Sequence, residues 1–165
     1  MMIRTFLASA LVALSLPAAA QAVPAANFTD MWWNPAESGW GISFVQHVGT
    51  NQVYAVMYTY DPRDPEPATA DGADFKPLWI VMSGGNWVTP TQITGNVFVT
   101  NGVPFFQSGS NTTVNAVGTF TFNFSDANNA TFTYNIAPQG GLSSGAPAFN
   151  LPAFNGVKAI TRQPF

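Results

Sequence analysis

From residue 27 onward, apolar and polar positions alternate with a period of two, in short runs rich in β-branched and aromatic side chains, and helical spacing is nearly absent. The pattern predicts eight strands, over residues 27–33, 40–48, 52–60, 77–83, 92–100, 114–124, 130–136 and 154–163, with 87–91 leading into the fifth. In the second, Trp40, Ile42 and Phe44 share a face. In the third, Val53, Ala55 and Met57 oppose Tyr54, Val56, Tyr58 and Tyr60, so both faces are apolar and both are expected to be covered. The sixth sets Val114, Ala116, Gly118, Phe120, Phe122 and Phe124 against Asn115, Thr119, Thr121 and Asn123. The seventh repeats that scheme through Ala130, Phe132, Tyr134 and Ile136, so the two should form a hairpin with one wet and one buried face. The last strand carries Lys158, Ile160 and Arg162 on one side.

Turn residues separate these runs: Asn34-Pro35 with Gly39, then Gly49-Thr50-Asn51, Gly84-Gly85-Asn86 and Asn101-Gly102. Short connections favour an up-and-down meander, and eight strands can close so that first and last pair and no edge stays open. The expected fold is therefore all-β, an eight-stranded antiparallel barrel, with an open β-sandwich as the alternative. Two connections are long. Residues 61–74 hold three prolines and five of the chain's eight acids, which reads as an exposed loop; their spacing fits no EF-hand. Residues 138–152, rich in Gly, Ser, Pro and Ala, read as a mobile connection.

Ahead of the alternation, Arg4, an apolar run over 6–16, Pro17 and Ala18-Ala19-Ala20-Gln21-Ala22 follow the order of a secretory signal peptide with an Ala-x-Ala site before Val23. Residues 1–22 are expected to be the signal and 23–165 a single β domain, periplasmic or secreted. The apolar run is short of the roughly 20 residues a span needs, so no membrane span is expected once the signal is removed. An outer-membrane barrel is disfavoured as well: reading back in twos from Phe165 gives Gln163, Thr161, Ala159 and Val157, too polar to face lipid. There is no cysteine for a disulfide or lipid anchor. After residue 22, four cations (Arg63, Lys76, Lys158, Arg162) face eight acids and no basic stripe exists, which speaks against nucleic acid as a partner. Charged residues are 8% of the chain and aromatic ones 14%, the balance of an exported β protein that presents aromatic surface to something.

Candidate chemistry is sparse. Gly141-Leu142-Ser143-Ser144-Gly145 spells G-x-S-x-G, but no helix follows and no Asp or His comes after it in the required order. His47 is the only histidine, so a metal site would lack companions, and neither metal nor cofactor is expected. Glu37 lies between Trp33 and Trp40, whose rings could desolvate it and raise its pKa as a general acid requires. Glycoside hydrolysis would need a second carboxylate, from Asp61 or Glu66. The plainer expectation is that Glu37 accepts hydrogen bonds in its own turn or pairs with Lys158 or Arg162 when a barrel closes.

Two resemblances follow. Trp32 near the start and Arg162 on the final strand resemble the device of lipocalins and avidins, in which a Gly-x-Trp on the first strand packs beneath an Arg from the last; Asp30 stands here in place of the glycine. Such a guanidinium over an indole is worth about 0.5–2 kcal/mol and would seal one barrel end. In addition, Trp33-Asn34-Pro35-Ala36-Glu37-Ser38-Gly39-Trp40-Gly41, Tyr58-Thr59-Tyr60-Asp61, Leu78-Trp79 and Lys158-Ala159-Ile160-Thr161-Arg162-Gln163-Pro164-Phe165 resemble an uncharacterised domain that recurs in exported proteins of Gram-negative bacteria. That likeness covers nearly the whole chain after the signal; it implies export and nothing about chemistry.

The function expected is non-catalytic binding of a small apolar or carbohydrate ligand in an aromatic-lined pocket drawn from Trp33, Trp40, Tyr58, Tyr60 and Trp79, with Glu37 and His47 as polar contacts. A structural or assembly protein, a homo-oligomer joined through apolar faces of the third and fourth strands, is the alternative, and a glycan-active enzyme using Glu37 is a third.

Overall fold

In a computed structural model, residues 22–63, 75–107 and 112–165 are described; most of the signal segment, and the acidic stretch 64–74 with Glu66, lie outside them. There is no helix. The strands are β1 (Asp30–Trp33), β2 (Gly41–Gln46), β3 (Val53–Tyr60), β4 (Pro77–Met82), β5 (Asn86–Thr89), β6 (Gln92–Asn101), β7 (Thr113–Phe124), β8 (Asn129–Ile136) and β9 (Phe154–Arg162). All pairings are antiparallel. The order β4-β3-β2-β1-β9-β8-β7-β6 closes on itself where Val81 of β4 meets Phe98 of β6, giving an eight-stranded barrel. β5 is a ninth strand outside that ring, paired with β6 alone.

β5 corrects the expectation that 87–91 leads straight into the next strand. Pro90 cannot donate to a ladder, so the chain reverses at Pro90-Thr91 and β5 folds back on β6 with Trp87 opposite Ile93. Two glycines permit the geometry around it. β6 crosses the Gly84-Gly85 link at Gly95, where any Cβ would collide with the Gly84 carbonyl and the Met82 side chain. On β7, Gly118 has φ +145° and a Cβ there would strike the Asn135 carbonyl. Next to it the β6–β7 register shifts by one residue, Val97 facing Gly118 and Phe98 facing Ala116. This bulge turns Val117 into the core and puts Val114 and Ala116 outside, a second correction to the strict alternation.

The interior is a stack of rings. Phe120, Phe122, Phe124 and Phe132 from the β7–β8 hairpin meet Phe44 of β2, with Phe122 and Phe132 centroids 5.0 Å apart. Towards one end Phe28 lies flat on Phe124 at 3.9 Å beside Trp87, and the Trp87 indole N–H donates to the Asn51 carbonyl at 2.9 Å. The same end is closed by the seam of the chain's two termini. Trp32 is the register partner of Arg162, whose guanidinium sits 5.3 Å from the indole centroid. Arg162 also pairs with Asp30 at 2.7 Å and donates to the carbonyls of Thr29, Asn27 and Ala127. At the opposite end the connection 138–152, expected to be mobile, is anchored at several points: Ala148 and Leu151 are buried, and Arg63, ion-paired with Asp61, donates to the carbonyls of Pro147 and Phe149.

Replacing Arg162 with Met keeps much of the stem but removes the cation over Trp32 and three carbonyl contacts; urea unfolding should show a loss of roughly 2–3 kcal/mol. Asp30 is held below its ordinary range, first by the Met31 backbone N–H and then by Arg162. A depressed carboxylate stabilises the fold above its unfolded pKa of about 3.9 and loses that contribution as pH falls through the folded value, so the seam should weaken below about pH 4. An Asp30→Asn variant should flatten that acid slope; an unchanged slope contradicts the assignment.

Candidate functional site

The open end of the barrel carries a recess of about 180 Å³. β8 supplies Phe132 and Tyr134, β9 supplies Phe154 and Lys158, and β3 supplies Met57 and Thr59, all on inward-facing positions; the β1–β2 loop adds Glu37 and Trp40. Gly156 leaves the room that the Tyr134 hydroxyl fills, since a Cβ would lie 2.5 Å from that oxygen. Trp40 stacks over Phe132 with centroids 6.3 Å apart, and Tyr134 lies 6.0 Å from Phe154.

Glu37 is held from three directions. Its carboxylate accepts from Lys158 Nζ at 2.8 Å, from the Trp40 indole N–H at 3.1 Å and from the Asn34 amide at 3.2 Å. Asn34 in turn accepts from the Ala36 backbone N–H, an Asx turn that sets the loop. The hydrogen bond from Lys158 is the largest influence on Glu37 and lowers its pKa, against the desolvation that would raise it. Lys158 is raised reciprocally by Glu37. The plainer expectation, Glu37 bonded within its own turn and paired with Lys158, is the one met, and the elevated pKa that a general acid needs is not: the ring that approaches Glu37 brings an N–H donor, and a cation stands beside it. An ionised carboxylate does not serve as a general acid at neutral pH. Asp61 is engaged by Arg63, and Glu66 lies outside the described residues. No group of three or more His, Cys, Asp or Glu is placed to hold a metal among the described residues.

The other site candidates are dispersed. Trp33 alternates with buried Trp32 and so points out of the barrel; its Nε1 is buried and bonds to no described residue. Tyr54, Tyr58, Tyr60 and Trp79 all face outward, Trp79 with 62% of its surface exposed, so among the described residues the outer face of β3 is covered at Val56 and exposed at its three tyrosines, where cover was expected throughout. Tyr58 and Trp79 are cross-strand partners whose rings meet edge to face at 6.0 Å. Tyr60 packs beside Gly39, outside the mouth. His47 lies in the β2–β3 turn, where its Nδ1 is 3.1 Å from the Thr50 hydroxyl, at the opposite end of β2 from the Glu37 loop and on the side of the filled end. Of the expected residues, then, Glu37 and Trp40 share the mouth. Met57, Phe132, Tyr134 and Phe154 were missed as a lining, although each sits on the core face of a strand that borders a long connection.

Compared with known proteins, the chain matches no family model, no curated protein and no solved structure.

A pH titration followed at the Glu37 carboxyl carbon by NMR should give a midpoint below the ordinary 4.5, and Lys158→Met should move it upward. A midpoint above 4.5 in the unaltered protein would instead restore Glu37 as a candidate acid.

Proposed function

We propose that this chain is an exported, non-catalytic binding protein that holds a small ligand in the recess between Trp40, Phe132, Tyr134 and Phe154, with the Glu37–Lys158 pair at its rim. The observation that carries the reading is the recess itself, an aromatic-lined gap at one end of a barrel whose other end is filled with rings. An apolar cavity of about 150 Å³ accepts a benzene molecule, so about 180 Å³ admits one ring, apolar or a single sugar. Glu37 and Lys158 are each about one-third exposed, and the ammonium keeps donors free of its one carboxylate contact for a polar substituent. The leader-like first 22 residues and the likeness to an uncharacterised domain of exported Gram-negative proteins support a periplasmic or secreted setting. The Trp–Arg seam supports kinship of design with lipocalins and avidins, which bind in the mouths of closed barrels.

A second reading, a homo-oligomer or envelope assembly protein, is favoured by the outward row Tyr54, Tyr58, Tyr60 and Trp79. Sedimentation over a hundredfold concentration range distinguishes the two. A monomer throughout supports the binder; a mass that rises with concentration and is abolished by Trp79→Asp supports assembly.

Binding is tested by tryptophan fluorescence with p-cresol and methyl β-glucoside as probes. One of them should quench or shift Trp40 emission saturably, and Met57→Trp, which fills the recess, should weaken that binding at least tenfold. If neither probe binds, or if the filled variant binds as well as the original, the mouth is not a ligand site.

A further inference from the structure

A second concavity lies on the outside of the barrel, at the place where β4 ends and β5 begins. There the link Ser83-Gly84-Gly85 crosses β6, and a Cβ at Gly84 would meet no atom within 4 Å; this open side belongs to a concavity of about 490 Å³ bordered by Asn86, Asn96 and Thr119. A neighbouring space of about 350 Å³ lies against Tyr54, His47 and Val45. The two adjoin at Gln52 and Ser83, which border both, and together they reach as a groove across β2, β3, β4, β6 and β7. With strands about 4.8 Å apart, that is a path of roughly 19 Å, and each half falls in the size range of ordinary ligand sites.

The lining specifies a chemistry. Among the described residues no Lys, Arg, Asp or Glu borders the groove and His47 at one end is its one side chain able to carry a positive charge, so the bidentate and clustered charge-assisted contacts that phosphates, carboxylates and ammonium groups favour are missing. The amides of Gln52, Asn86 and Asn96 are exposed, and none makes a side-chain hydrogen bond to another described residue. Each offers a donor and an acceptor side by side, the complement of a hydroxyl that both gives and takes a hydrogen bond. A purely apolar ligand would strip water from three amides with nothing in return, at a cost that excludes it. Aromatic faces bracket the row, Tyr54 at one end and Phe98 within the other half, where the C–H face of a pyranose ring can lie.

We propose that this groove binds a neutral oligosaccharide several units long, with Tyr54 and Phe98 taking sugar faces and Gln52, Asn86 and Asn96 taking hydroxyls. The site is separate from the barrel mouth, and it stands whether or not the mouth holds a ligand.

The fold supplies a direct test. A Cβ at Gly84 meets no atom within 4 Å and the backbone there does not need a positive φ, so Gly84→Leu puts a plug into the groove without strain. Calorimetric titration of the full chain with cellohexaose, xylohexaose and mannohexaose should give saturable binding to at least one, with hexagalacturonate, an anionic counterpart, binding at least tenfold more weakly. Gly84→Leu and Asn96→Ala should each weaken binding at least tenfold while thermal unfolding stays within about 3 °C of the original, and Met57→Trp at the mouth should leave it unchanged. Backbone amide shifts should move at Gln52, Asn86, Asn96 and Thr119. Absence of binding to all three neutral hexasaccharides at millimolar concentration overturns the proposal. So does equal binding of the anionic one, or binding that survives Gly84→Leu or is lost with Met57→Trp.

Discussion

The barrel depends on a narrow seam. β1 and β9 are joined by the register pairs Trp32–Arg162 and Trp33–Thr161, with one further bond from the Gln163 N–H to the Met31 carbonyl. So short a ladder between the two ends of the chain contributes little by itself, and side chains reinforce it. Both cations lie on β9, Arg162 and Lys158, four residues or about 13 Å apart on the inward face. Both acids lie on or just after β1, Asp30 and Glu37, and the pairs close at 2.7 and 2.8 Å. A chain with few charges thus places two of its five cations across the seam, one at each end of the barrel.

That arrangement also divides the interior. Along β9 Ile160 alone is fully buried between the two cations, so the ring stack must come from the other wall, and β7, β8 and β2 supply it through Phe120, Phe122, Phe132 and Phe44. The N-terminal segment brings Phe28 and β5 brings Trp87 to fill the end that Arg162 closes. Among the described residues no equivalent segment fills the end near Lys158. The connection 137–153, tied by Arg63, covers only the side lined by Ala148 and Leu151, and the recess at Trp40 is what remains. A structural ion pair and an open mouth therefore arise from one constraint, that β9 presents charge where a barrel normally presents aliphatic bulk.

Period-two alternation was enough to read the eight barrel strands, because each buries one face and Ile42, Phe44, Ala130, Phe132 and Ile136 obey it strictly, while Trp40, expected to open the second strand, falls in the loop before it. The pairing of the ends was legible from Trp32 and Arg162, residues whose chemistry is hard to satisfy separately. Three features were not legible. The bulge beside Gly118 inverts the faces of Val114 and Ala116, and a glycine in a strand does not state which way the extra residue turns. The tyrosines of β3 score as apolar in a pattern, yet their hydroxyls leave them content at the surface. The recess is built by inward positions of three separate strands, β3, β8 and β9, with the β1–β2 loop, and its groove counterpart borders the open side of Gly84; neither carries a motif.

The central claim is that the chain's two ends complete the barrel wall. Native-state hydrogen exchange at the Gln163 amide, which donates to Met31 at 2.8 Å across the seam, addresses it most directly. Protection within an order of magnitude of the amides in the β7–β8 ladder is the expected result. Exchange at the rate of an unstructured peptide would mean that β1 and β9 are not joined and that the barrel is an open sheet.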